Sequence, residues 1–138
     1  MNRVDEACSL FENGHVCSQA VFSVFCEEFG ISKKNAFKIG ACFGSGMRQA
    51  EVCGACTGAL MAIGLKYGED QKVCNELSQK FFSEFKKENK SFICRDLLGC
   101  DISTPEGVKY ASDNNLFKEI CPEMVASAVK ITEKIFED

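Results

Sequence analysis

The chain has 138 residues, of which 46% are hydrophobic and 26% charged, and its formal net charge is −4. That length suits a single domain, 1–138, with a proper core, and the composition excludes disorder over most of it. An acidic balance without a long basic run argues against nucleic acid as the main partner, and the single histidine, His15, excludes any site built on two imidazoles.

In chain order, nearly every segment has helical spacing. Val4, Ala7, Cys8 and Phe11 form one apolar stripe that stops at Asn13-Gly14. A second helix is predicted from about His15 to Glu28, with Gly30 ending it. Ser32 is placed to cap a short third helix through Ile39. Gly40 to Gly46 is the only glycine-rich loop, and it lacks the lysine that a phosphate-binding loop needs.

From Gly54 to Tyr67 the chain is apolar on nearly all sides, as a central buried helix would be. Gly54, Gly58 and Ala62 recur every four residues and offer a face for close approach, which suits a homodimer. Gly68 closes this helix and Asp70 can cap the next. That helix reaches about Glu88, with Val73, Leu77, Phe81, Phe82 and Phe85 turned inward. Phe92 to Leu98 reads as a short helix ended by Gly99. Thr104-Pro105-Glu106 reads as a cap, an N1 proline and a first-turn acid. Pro122 to Phe136 is the last helix. No alternating run survives, so the expected fold is all-α: a single-domain bundle of five to seven helices around a central apolar helix.

The first residues, Met1 to Glu6, have no basic stretch leading into an apolar one. The most apolar segment, Ala55 to Leu65, is far shorter than the about 20 residues a bilayer requires. The expectation is a cytoplasmic protein without membrane association. Thiols are reduced there, so ten cysteines point to metal or redox chemistry rather than structural bridges.

Cys8, Cys26 and Cys74 fall at apolar helical positions and read as packing residues, as does Cys42. Others stand elsewhere. Cys53 directly precedes the buried helix and Cys121 directly precedes Pro122. At a helix N-terminus, free N–H groups and the helix dipole favour a thiolate. Cys17 falls in the first turn of the second helix, and Cys94 lies next to Arg95, itself paired with Asp96 in this reading. Cys53 and Cys56 form a C-x-x-C pair, but no strand precedes it and no second pair exists. A thioredoxin fold and a zinc ribbon are both unsupported.

The segments Asn13-Gly14-His15-Val16-Cys17-Ser18-Gln19-Ala20-Val21, Cys53-Gly54-Ala55-Cys56-Thr57-Gly58-Ala59-Leu60 and Cys94-Arg95-Asp96-Leu97-Leu98-Gly99 resemble the C_GCAxxG_C_C family of redox-active proteins. Phe43-Gly44-Ser45-Gly46-Met47 is similar in style. The resemblance runs from about Asn13 to Cys121. It implies four shared cysteines, Cys17, Cys53, Cys94 and Cys121, with Cys100 a nearby competitor for the last. It also implies an iron–sulfur cluster, [2Fe-2S] favoured over [4Fe-4S], and an oxidoreductase or transporter-associated redox partner protein. The chain departs from the family pattern in two places. Met47 to Glu51 lacks the expected glycines, and Cys56 stands where a plain apolar residue is expected.

The leading expectation is therefore an electron-transfer or redox-sensing protein with a cluster on those four cysteines, no catalytic residue, and amides of Gly44 and Gly46 offsetting its negative charge. Two alternatives stand beside it. One is a thiol–disulfide oxidoreductase using Cys53 and Cys56. The other is a structural zinc site on the same four sulfurs.

Overall fold

A computed structural model describes residues 1–138 and shows nine α-helices: α1 (Arg3–Glu12), α2 (Cys17–Cys26), α3 (Lys33–Gly40), α4 (Gly54–Tyr67), α5 (Gln71–Asn89), α6 (Cys94–Leu98), α7 (Pro105–Asp113), α8 (Leu116–Glu119) and α9 (Cys121–Glu137). A 3₁₀ turn, Glu27–Phe29, extends α2. There is no sheet, only one isolated antiparallel bridge between Val52 and Ile93. No helix is long and apolar enough to cross a membrane.

The predicted caps form. The side chain of Ser32 accepts from the Asn35 N–H at 3.1 Å, that of Asp70 from Val73 at 3.2 Å and that of Thr104 from Gly107 at 3.0 Å. Each satisfies one of the donors that a helix start leaves free, an effect of about 1 kcal/mol. The second helix starts later than expected, at Cys17. Val16 is extended, and its N–H donates to the Gln19 side chain at 2.9 Å, which fixes the first turn. The helices exceed the expected five to seven because several are short, α6 of five residues and α8 of four.

α4 is the central helix, with α2, α5 and α9 packed around it. Ala55, Ala59, Ala62 and Ile63 of α4 share one core with Val21 and Phe25 of α2, Phe81 and Phe85 of α5, and Val125, Ala128 and Val129 of α9. Complete burial of a phenylalanine or valine of this kind stabilises by about 1.5–3 kcal/mol. The small-residue face of α4 is taken up inside the chain. A Cβ at Gly58 would lie 2.6 Å from the Ser18 carbonyl oxygen of α2, so this face is closed to the second copy that the sequence suggested.

Two other expectations are corrected. Arg95 pairs with Glu51, not with Asp96, whose carboxylate accepts from the Ser91 hydroxyl. The two side chains are adjacent in sequence on α6 and point apart, as residues i and i+1 of a helix do. Cys42 is exposed rather than packed, because it lies in the turn after α3, where the chain runs over the surface.

Candidate metal centre

Cys17, Cys53, Cys94 and Cys121 line one cavity of about 150 Å³. Each stands at a helix start. Cys17, Cys94 and Cys121 are the first residues of α2, α6 and α9, and Cys53 is the N-cap of α4. Cys121 therefore lies one position further into its helix than expected, since Ile120 takes the cap. The rest of the lining is mostly apolar, with Phe11, Val16, Phe117 and Met124 among it.

Local backbone pairing explains how distant segments meet. The Cys53 N–H donates to the Phe92 carbonyl at 2.8 Å, and the Cys94 N–H donates to the Glu51 carbonyl at 2.6 Å. The Val52–Ile93 bridge lies between these bonds and sets Cys53 beside Cys94. Cys17 comes from the opposite side and fits directly against Gly54. A Cβ there would lie 2.4 Å from the Cys17 sulfur, so the glycine after Cys53 makes room for that sulfur.

Between α3 and α4 the backbone turns in the left-handed region. Ser45, Gly46, Met47, Arg48 and Ala50 have φ values of 54°, 60°, 60°, 61° and 55°. Four of these are not glycine, and each left-handed non-glycine residue costs roughly 1–2 kcal/mol. The missing glycines noted in the sequence therefore fall where glycine is most favourable. Ser45 and Gly46 line the cavity. Gly44 does not; it lies against Val16 instead, so of the two expected glycines the geometry brings only Gly46 to the site.

The thiols act on one another. Hydrogen bonding to Cys53, then desolvation, pushes the Cys17 thiol well above its ordinary pKa, while the N–H groups of Ser45 and Ser18 pull the other way. At Cys53 the hydrogen bond with Cys17 lowers the pKa, but the hydrogen bond with Cys56, together with burial, outweighs it and leaves the thiol raised. Burial, and then the neighbouring Cys121, Cys17 and Cys100, push Cys94 to about 12 against the pull of Arg95. Burial and Cys17 push Cys121 to about 12. The sequence led to the opposite expectation, thiolates favoured by helix N-termini. Inside this mostly apolar lining, desolvation and the neighbouring thiols outweigh those dipoles, so without a cation the four sulfurs hold their protons. A soft cationic centre would reverse this, because thiolates are its natural ligands.

The other cysteines lie off the cavity. The Cys26 thiol donates to the Ser23 carbonyl at 3.2 Å and that of Cys74 to Tyr67 at 3.2 Å. Cys8 contacts the Pro122 carbonyl and Cys100 the Gly107 carbonyl, both at 3.8 Å. Cys121 rather than Cys100 thus completes the lining. Cys56 is 0% exposed, within the main core behind Cys53. His15 stacks on Phe37 at 4.1 Å and is no part of the site. No three cysteine, histidine or acidic side chains close on a point as ligands of one ion would. The four sulfurs rim a space instead.

Neither Phe117 nor the left-handed turn is marked by any pattern in the sequence. Phe117 belongs to a single helical turn, too short for a periodic signal, and the turn contains no run of glycines to announce it.

The family model described as "Putative redox-active protein (C_GCAxxG_C_C)" matches residues 15–135. No curated protein matches the chain, and no solved structure does.

Proposed function

The chain belongs to the C_GCAxxG_C_C family of redox-active proteins, and on that premise we propose that it is a small redox protein holding an iron–sulfur cluster on Cys17, Cys53, Cys94 and Cys121. The observation that supports this reading is the convergence of these four thiols, out of ten, on one cavity of about 150 Å³. A single water needs only about 10–15 Å³ of such space, so the cavity suits a polyatomic group better than one ion. Four thiolates and an apolar wall are the surroundings in which iron–sulfur clusters are found. Two irons are favoured mainly on the family resemblance, since four thiolates suit either cluster type.

Such a cluster supplies reversible one-electron chemistry, which serves electron transfer or redox sensing. The residues of the chain do the rest. Phe11, Val16, Phe117 and Met124 keep water from the sulfurs. The N–H groups of Ser18 and Ser45 favour the charged form of the Cys17 sulfur. The starts of α2, α4 and α9 offset further negative charge. A redox partner protein completes the proposal.

A thiol–disulfide reading has one observation in its favour, the effect of the Cys56 thiol on its C-x-x-C partner Cys53. Against it stands Cys53, which as the nucleophile would need access and a thiolate, yet it is buried and its pKa is raised.

Iron, zinc and acid-labile sulfide, measured on protein purified without oxygen, test the proposal together with the visible spectrum. The expected result is brown protein with about two irons and two sulfides per chain. Cys17→Ser, Cys53→Ser, Cys94→Ser and Cys121→Ser should each lose the metal, whereas Cys8→Ser and Cys74→Ser should keep it. Zinc without sulfide would replace the cluster by a structural zinc site. Colourless, metal-free protein with an oxidisable Cys53–Cys56 pair would favour the disulfide reading.

A further inference from the structure

The Arg95 side chain lies on the surface, yet it grips the turn that forms one wall of the cavity. Its Nη1 donates to the Ala50 carbonyl at 3.1 Å and to Glu51 Oε1 at 3.2 Å, and its Nη2 donates to Glu51 Oε2 at 3.1 Å. The same turn is closed by the Glu51 N–H donating to the Gly46 carbonyl at 3.1 Å. Met47 and Arg48 lie between these anchors, Ala50 is one of them and Ser45 directly precedes Gly46; all four are non-glycine and left-handed. A segment with that backbone does not stay closed unaided, because each such residue favours another conformation.

The turn also has a position that matters. Ser45 lines both the cavity and an outer groove that includes Arg48 and Lys109, so with Ile102, which also lines both, it forms the partition between them. Ser45 lines the cavity together with Cys17, and its N–H pulls the pKa of that thiol down. We infer that Arg95 is a positioning residue for the Cys17 sulfur: its guanidinium fork holds the Ser45–Ala50 turn closed, and the turn holds the Ser45 N–H on that sulfur and keeps water out. A lysine keeps the charge near Cys94 but cannot reproduce a planar fork that spans a carbonyl and both carboxylate oxygens.

This role separates geometry from charge, and the variants Arg95→Lys, Arg95→Gln and Glu51→Gln test it. The readout in metal-free protein is hydrogen exchange of the Ser45 and Glu51 amides. Arg95→Lys and Glu51→Gln should each speed both by about tenfold, the effect of releasing roughly one strained residue, with exchange in α4 unchanged. In loaded protein, the part of the inference that rests on the proposed cluster, Arg95→Lys, which keeps the charge, should lower the reduction potential, because an N–H donated to sulfur favours the reduced state. If Arg95→Lys exchanges like the unaltered protein and only Arg95→Gln changes the potential, Arg95 acts by charge alone and the inference is wrong. Faster exchange in every helix would make Arg95 merely a stabilising residue, which also overturns it. Should no cluster assemble on the unaltered chain, the cluster reading fails while amide exchange still decides the role of Arg95.

Discussion

A methyl group added at Gly54 would lie 2.4 Å from the Cys17 sulfur and 2.8 Å from the Phe43 carbonyl oxygen. Gly54 opens α4, so a substitution there removes no interior helical residue and its effect is decided by these contacts. Gly54→Ala should therefore keep the helical circular dichroism but lose most of its bound metal, read as iron per chain. Met47 presents the converse case. Its φ is 60° and its side chain is 51% exposed, so it pays for a left-handed backbone without contributing to the core. Glycine relieves roughly 1–2 kcal/mol there and returns about 0.4–1 kcal/mol through the freer unfolded chain. Met47→Gly should raise the melting temperature by about 2 °C, measured on metal-free protein. A fall would mean that the Met47 side chain does more than its exposure suggests.

The helices were legible wherever a cap or a long apolar stripe marked them. Ser32, Asp70 and Thr104 all cap as read, and α4 spans the expected Gly54 to Tyr67. What escaped was too short or too irregular to carry a period: α8, the single Val52–Ile93 bridge and the left-handed turn. Those are the pieces that build the cavity between the long helices, so the four cysteines that line it were legible and their surroundings were not. Caps and site are separate devices, which a remote cap can check. Asp70 lies at the start of α5 and outside the cavity lining. Asp70→Ala should cost about 1 kcal/mol in denaturant unfolding and leave metal content unchanged. A loss of metal in that variant would show that the site depends on global stability rather than on its own turn and bridge.

At the scale of the molecule, the chain brings four helix starts to one cavity and so places four thiols where none ionises readily. The ordinary thiol value is 9.0, and burial with the neighbouring cysteines raises Cys94 to about 12, while burial and Cys17 raise Cys121 to about 12. Cys17 and Cys53 are also raised. The sign follows from proton linkage. Below pH 9 these thiols are protonated in both the folded and the unfolded chain, and their contribution to stability is fully present. Above pH 9 the unfolded chain gives up its protons first, and the fold loses stability until the folded thiols ionise as well. Metal-free protein should therefore melt at a clearly lower temperature at pH 10.5 than at pH 8. A chain in which Cys17, Cys94 and Cys121 are all replaced by alanine should lose much of that dependence. Loading has the reverse linkage, since ligation releases protons and tightens as pH rises. A group bound only to the folded chain also adds stability in proportion to the logarithm of its excess over the dissociation constant. The gap in melting temperature between loaded and metal-free protein should consequently widen from pH 6 to pH 8. A gap that stayed constant over that range would mean that the thiols are already ionised before the metal arrives.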